Sequence, residues 1–306
     1  MTVIASHINL LVVLGPTASG KTRLGVELAR RLDGEVISAD SRQVYRGMDI
    51  GSGKDLTEYG SIPYHLIDIV EPAYEFNVFE FQRRFLEAFD DIRQRSRLPV
   101  LVGGTGMYLE AVLKGYRLME VQEDPTLRQE LASLTMESLA GRLRSTSPRL
   151  HNTTDLLDRE RLVRAIEIAA YERDHTPEPL PEIRPLVLGI RWERSVLRQR
   201  ITDRLRARLG HGLIEEVARL HAEGIPWERL EFYGLEYRFV AKHLQGELNR
   251  NDLFQKLNSA IHDFAKRQDT WFRRMERNGT TIHWLDGAGD PLAEAMEIVS
   301  RKRHDT

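Results

Sequence analysis

The run Gly15-Pro16-Thr17-Ala18-Ser19-Gly20-Lys21-Thr22 fits the phosphate-gripping pattern G-x-x-x-x-G-K-[ST]. Its glycines let backbone N–H groups turn inward around phosphate oxygens. A helix starting near Lys21 would add its positive end. Lys21 supplies a point charge, and the Thr22 hydroxyl is a hard oxygen able to ligate Mg²⁺. The segment predicts a ligand carrying a diphosphate or triphosphate. Most proteins with this loop move phosphoryl groups and place an acid at the end of a neighbouring strand. Asp40, closing Val36-Ile37-Ser38-Ala39, and Asp68, inside Leu66-Ile67-Asp68-Ile69, are the two candidates.

Strands must deliver these groups. Asn9 to Leu14 is a nearly continuous apolar run before the glycine turn, as in a strand buried on both faces of a parallel sheet. Leu24, Leu28 and Leu32 give helical spacing over Thr22 to Leu32. Strands are predicted at Glu35 to Ala39, His65 to Val70, Pro99 to Val102 and Leu186 to Trp192. Helices are predicted at Val78 to Arg95, Met107 to Leu113, Ser195 to Arg208, Leu213 to Ala222 and Asp252 to Arg277. Asp124 to Arg173 holds helical stretches alone, and Thr176 to Pro185 carries four prolines, as a connector does. The expected architecture is α/β: a P-loop NTPase-like parallel sheet flanked by helices, with an inserted helical domain. Residues 1–117 and 184–306 would form the catalytic core with C-terminal helices, and 118–183 the insertion.

The 306 residues include no Cys, which removes thiol nucleophiles, disulfides and Cys-ligated metal sites. A formal net charge of −2 argues against a protein that coats nucleic acid indiscriminately. Local basic groups remain: Arg142, Arg144 and Arg149, then Arg159, Arg161 and Arg164, and later Lys266, Arg267, Arg273, Arg274 and Arg277. Met1 to Ser6 lacks a basic leader region, and the apolar run Ile8 to Leu14 is too short to span a bilayer. The expectation is a cytoplasmic protein without membrane association, and a monomer.

Further blocks carry a resemblance. Ser38-Ala39-Asp40-Ser41-Arg42-Gln43-Val44-Tyr45-Arg46-Gly47-Met48-Asp49-Ile50-Gly51 is much longer than a phosphate motif needs. With Gly15 to Thr22, Val102 to Leu109, Arg161 to Glu167, and Ala265-Lys266-Arg267-Gln268 before Thr270 to Arg274, it resembles the tRNA dimethylallyltransferase (tRNA isopentenyltransferase) family. The blocks follow family order over nearly the whole chain. The resemblance implies transfer of a dimethylallyl group from dimethylallyl diphosphate to the exocyclic amine of the adenosine 3′ to the anticodon in tRNA, with Mg²⁺. The loop Gly15 to Thr22, with Arg200 and Arg204 on a basic helix, would then hold the leaving diphosphate. Lys21 would stabilise its charge, Thr22 would hold the metal, Thr105 would hydrogen-bond the bridging oxygen, and Asp40 would take the amine proton. Ser41, Arg42 and Gln43 would contact the adenine. Arg161, Arg164, Lys266 and Arg267 would meet phosphates of the anticodon stem-loop. Trp271 and Phe272 read as core. Two other activities fit the residues: prenylation of free AMP, ADP or ATP, or a P-loop kinase using Asp68. The segment Phe232-Tyr233-Gly234-Leu235-Glu236 departs from the family pattern of Gly-Tyr followed by a base, and Ile261-His262-Asp263 from Thr-Arg-Gln.

Overall fold

The computed structural model describes residues 8–116, 118, 121–146, 158–175 and 179–304. Arg149 and Met1 to Ser6 therefore lie outside the described residues, as do the first three positions of the proline-rich connector. The chain divides into two compact units, Met1–Gly115 with Glu182–Thr306, and Tyr116–Pro181.

In the larger unit the chain runs β1 (Leu10–Leu14), α1 (Lys21–Leu32), β2 (Gly34–Ala39), β3 (Tyr64–His65), α2 (Val78–Gln94), β4 (Leu98–Gly103) and α3 (Gly106–Leu113). The smaller unit holds α4 (Pro125–Ala132), α5 (Met136–Thr146) and α6 (Arg159–Asp174). The larger unit resumes with β5 (Pro185–Arg191), α7 (Arg194–Gly210), α8 (Leu213–Ala222), α9 (Trp227–Phe232) and α10 (Leu235–Leu244). It closes with α11 (Arg250–Arg277), β6 (His283–Asp286) and α12 (Pro291–His304).

The six strands form one parallel sheet in the order β3-β2-β4-β1-β5-β6. Every residue of β1, β2 and β4 is buried, which explains the apolar runs of β1 and β4; β2 also buries Glu35 and Ser38. Odd and even positions of β1 feed opposite faces. Leu11 and Val13 join the cluster made with Leu24, Leu28 and Leu32 of α1. Leu10, Val12 and Leu14 join Phe81, Phe85 and Phe89 of α2, so the phenylalanine stripe is core. Phe272 is fully buried in this second cluster and Trp271 packs against it, with the Arg274 guanidinium 3.9 Å from its ring centre. A third cluster joins α7, α8, α10 and α11 to Val44, Tyr45 and Met48 of the segment after β2.

One predicted strand is corrected. His65 to Val70 continues as a strand only through Tyr64–His65. Leu66 and Asp68 take left-handed backbone (φ 64° and 55°), which ends regular pairing. The N–H groups of Asp68, Ile69 and Val70 instead donate to the carbonyls of Gln43 and Val44. The Asp68 carboxylate meets the Lys54 ammonium, itself buried and bonded to Asp49 Oδ1 (2.6 Å) and the Tyr45 carbonyl (2.8 Å). That ion pair explains why an acid sits in this apolar run, and it separates Asp68 from the phosphate loop.

In the smaller unit Leu131, Leu139, Leu143, Leu162 and Ile166 form a separate core. Among the described residues no helix is long and apolar enough to cross a membrane.

Candidate active site

The loop between β1 and α1 begins where a fully buried strand ends, so its geometry is fixed from below. Gly20 has φ 90°, which suits glycine, while Ala18 is held left-handed at φ 63°. Two side chains hold that turn from outside. Arg200 Nε donates to the Ala18 carbonyl and Trp192 Nε1 to the Ser19 carbonyl, each at 2.9 Å. The Arg200 guanidinium lies 4.2 Å from the Trp192 ring centre. With these carbonyls held from outside, the loop keeps a geometry in which N–H groups can gather around an anion.

A cavity of about 310 Å³ opens beside the loop. Thr17, Lys21 and Thr22 line it from the loop and α1. Asp40, Ser41, Arg42 and Gln43 line it from the end of β2, and Thr105 from the turn before α3. Arg204 and Arg208 enter from α7, and Arg267 and Gln268 from α11. The sheet explains the convergence: β2, β4 and β1 are neighbours, so the loops after their carboxyl ends share one edge.

Charge is concentrated here. Burial brings the Lys21 ammonium down to about 8 from the usual lysine value of 10.5, with Asp40 acting in the opposite sense. Lys21 Nζ also donates to the Pro16 carbonyl at 3.4 Å. Arg204 pairs with Asp55. Arg208 lies 3.3 Å from Glu236, burial lowering the affinity of the arginine for its proton and raising that of the glutamate.

Asp40 is anchored by the Arg42 N–H, which donates to Oδ1 at 2.9 Å. Thr105 Oγ1 accepts the Ser41 N–H at 3.1 Å, so its own O–H remains a donor. Gln43 is more constrained than its motif suggests: its side chain is buried, accepting from Ser38 Oγ (2.8 Å) and donating to the Gly53 carbonyl (3.1 Å).

The remaining predicted residues separate into groups. Arg204 is on the cavity wall, whereas Arg200 is committed to the loop backbone. Arg267 is on the wall and Lys266 is exposed. Arg161 and Arg164 belong to the smaller unit. Arg161 is exposed, while Arg164 donates to Glu167 (3.1 Å) and to the Val121 carbonyl. Other members of that basic run are also occupied. Arg159 binds three carbonyls at the end of α4, and Arg142 pairs with Glu130. Trp271 and Phe272 are absent from the cavity wall.

Sequence reasoning left three groups unassigned. Gln268 is buried and bridges two phosphate-site segments, accepting the Thr17 N–H at 2.8 Å and donating to the Gly104 carbonyl at 2.9 Å. A Cβ on Gly104 would approach Gln268 Nε2 to 2.5 Å, so any larger residue there would displace this amide. Glu216 accepts the N–H groups of Asp49 (2.9 Å), Ile50 (2.8 Å) and Gly51 (3.0 Å) and the Tyr237 hydroxyl (2.8 Å). It thereby fixes the segment that brings Gly51, Ser52 and Gly53 to the cavity. Arg208 and Glu236 are the third group. The adjacency of Lys266-Arg267-Gln268 in a basic block was the one sequence signal for Gln268.

Comparison with known proteins agrees with this arrangement. The family model for IPP transferase matches residues 43–275, and that for isopentenyl transferase matches residues 8–59. A tRNA dimethylallyltransferase 1 of Geotalea uraniireducens is 74% identical over 291 residues, 95% of this chain and 97% of that protein. The crystal structure of the full-length tRNA isopentenylpyrophosphate transferase from Bacillus halodurans superposes with a TM-score of 0.71 at 34% identity, covering 97% of this chain and 95% of that one. That of a tRNA isopentenylpyrophosphate transferase from Staphylococcus epidermidis gives 0.70 at 32% identity, covering 97% and 99%. The family model covers most of the chain and the relatives match it over nearly their full length, so the chain belongs to the IPP transferase family, the family of the tRNA dimethylallyltransferases.

Proposed function

We propose that this protein transfers the dimethylallyl group of dimethylallyl diphosphate to the exocyclic amine of the adenosine 3′ to the anticodon in tRNA. The observation that carries the reading is the single cavity in which Lys21 and Thr22, beside a phosphate loop, share the wall with Asp40 and Thr105. A phosphoryl-transfer enzyme needs its acid for a metal or a water. Here the carboxylate faces a cavity large enough for a nucleobase. Asp68, the acid a kinase reading requires, is bound to Lys54 away from this wall.

The chemistry is a substitution at carbon. The bond between the allylic carbon and the bridging oxygen breaks, and its electron pair leaves with diphosphate. The amine nitrogen forms the new bond to that carbon and its proton passes to the Asp40 carboxylate. A departing diphosphate carries high charge, so stabilising that charge lowers the barrier most. Lys21, the loop N–H groups and Arg204 serve this role, and the Thr105 hydroxyl donates to the bridging oxygen. The target base must leave its stack to reach the cavity.

Mg²⁺ fits the donor set. Thr22 offers a hard hydroxyl oxygen on this wall, and no group of three or more His, Cys, Asp or Glu among the described residues would build a closed cage. Such a site suits an ion that takes most of its ligands from phosphate and water. When bound, the ion would neutralise charge on the diphosphate. Exposed Arg161 and Lys266 are proposed to meet RNA phosphates.

The test offers tRNA and AMP side by side with dimethylallyl diphosphate and Mg²⁺, followed by nuclease digestion and mass spectrometry. Prenylated adenosine from tRNA is expected. Product on AMP alone would overturn the acceptor, and no product on either would overturn the reaction.

A further inference from the structure

Among the described residues five large apolar side chains are exposed: Tyr64, Tyr74, Val196, Phe232 and Phe264. Two of them, Phe232 and Phe264, line the cavity and therefore form part of its rim. Phe232 is 59% exposed, the most of the five, although its neighbours Leu230 and Tyr233 are fully buried. A scattered exposed apolar residue needs no explanation. Two partly exposed aromatic rings on the rim of one polar cavity do.

Both rings carry guanidinium groups. Arg42 lies 5.4 Å and Arg229 5.7 Å from the Phe232 ring centre, and Arg267 lies 5.8 Å from that of Phe264. Phe232 ends α9 and Phe264 sits in α11, so separate elements deliver them. An aromatic face with a guanidinium beside it suits a nucleobase and its phosphate: the base stacks on the ring, and the cation meets the backbone. A partner protein would use the apolar faces but would leave the guanidinium groups without phosphate.

We infer that Phe232 and Phe264 are stacking platforms for the nucleobases that flank the target adenosine once it has entered the cavity. This rests on the function proposed above. Withdrawing the target base removes one stacking surface from each neighbour. Two rim rings replace those surfaces, and the exposed rings are covered in the same event. The departure at Phe232 from the family pattern then sits at an acceptor-contacting position.

The test uses an anticodon stem-loop RNA with 2-aminopurine beside the target adenosine, on one side and then the other. Wild-type protein is expected to quench 2-aminopurine fluorescence on binding. Phe232→Leu and Phe264→Leu, which keep apolar bulk but lose the ring face, should each lose quenching on one side. Each should raise KM for the stem-loop roughly five- to tenfold, with a smaller effect on kcat. Phe→Tyr at either site, which keeps the face, should retain quenching and KM. Leu variants that melt like wild type and keep both quenching and KM would overturn the inference while leaving the reaction intact. Failure of the wild-type protein to prenylate the stem-loop would overturn the functional reading, and the inference with it.

Discussion

Raising the pH through 8 should weaken binding of the prenyl donor, because the ammonium that meets its diphosphate is the one burial has depressed. Free Lys21 loses its proton at about 8, against 10.5 for an ordinary lysine. A bound diphosphate restores the charged form. Its terminal phosphate completes its own ionisation near pH 6, so this group does not compete in the alkaline range. At pH 9 about a tenth of the free protein carries the charge, and at pH 10 about a hundredth. KM for dimethylallyl diphosphate should therefore rise about tenfold per pH unit above 8, until Lys21 also titrates in the complex. Titration of the protein with dimethylallyl diphosphate near pH 9, without acceptor and in buffers of different ionisation enthalpy, should show uptake of close to one proton per ligand. The same group affects stability in the opposite direction. Between 8 and 10.5 the unfolded chain holds more protons than the folded one, so Lys21 makes the fold more stable as pH rises. Weaker binding in a protein that melts no lower separates this effect from alkaline unfolding. A donor KM that stays flat from pH 7 to 10, with no proton uptake, would refute the reasoning.

Other perturbations probe the remaining parts of the site. Asp40→Asn keeps the shape and the acceptor for the Arg42 N–H but cannot take a proton; kcat should fall at least ~100-fold while tRNA affinity measured by filter binding stays within about twofold. Gln268→Met removes both bonds that join Thr17 to Gly104, leaving the buried Gly104 carbonyl and the partly buried Thr17 N–H unpaired; about 1–3 kcal/mol of stability should be lost, lowering Tm by roughly 3–10 °C in calorimetry, with a raised donor KM. Arg161→Ala should weaken tRNA binding and flatten its salt dependence by roughly one unit of slope, and Arg164→Ala should change that slope less, its guanidinium being held by Glu167 and the Val121 carbonyl. Only Arg164→Ala should also lower stability, because Arg164 holds the Val121 carbonyl and buried Glu167; equal melting curves for the two would remove that structural role.

The parallel sheet was legible because strands such as β1 and β4 are buried on both faces and so carry nearly continuous apolar runs. The phosphate loop was legible because its glycines and lysine are contiguous. His65 to Val70 misled for a physical reason: its leucine, isoleucines and valine have strand character, but Asp68 is drawn to Lys54, a buried cation fourteen positions earlier. Helices α9 and α10 and strand β6 are short, with packing rather than periodicity defining them. At the site, contiguous motifs gave Lys21, Asp40 and Thr105. Gln268, Glu216 and the Arg208–Glu236 pair act across long stretches of chain, and no local pattern marks a residue whose partner lies in another element. Glu236 departs from the family pattern in sequence, and its partner Arg208 lies 28 positions earlier on α7.

The Gln268 bridge also bears on how the protein comes into being. Thr17 and Gln268 are 251 positions apart. At roughly 5–20 residues per second, a ribosome delivers the second of these about 10–50 s after the first. Strand β1 likewise waits for β5, its neighbour in the finished sheet, which is synthesised only after the smaller unit. A nascent chain that has already exposed its phosphate-loop sequence still lacks α11, and with it the bond that holds Thr17 in place. Competence to hold the donor should therefore arrive late and abruptly in synthesis. Chains stalled before Gln268 should be unable to sequester dimethylallyl diphosphate in an unproductive form.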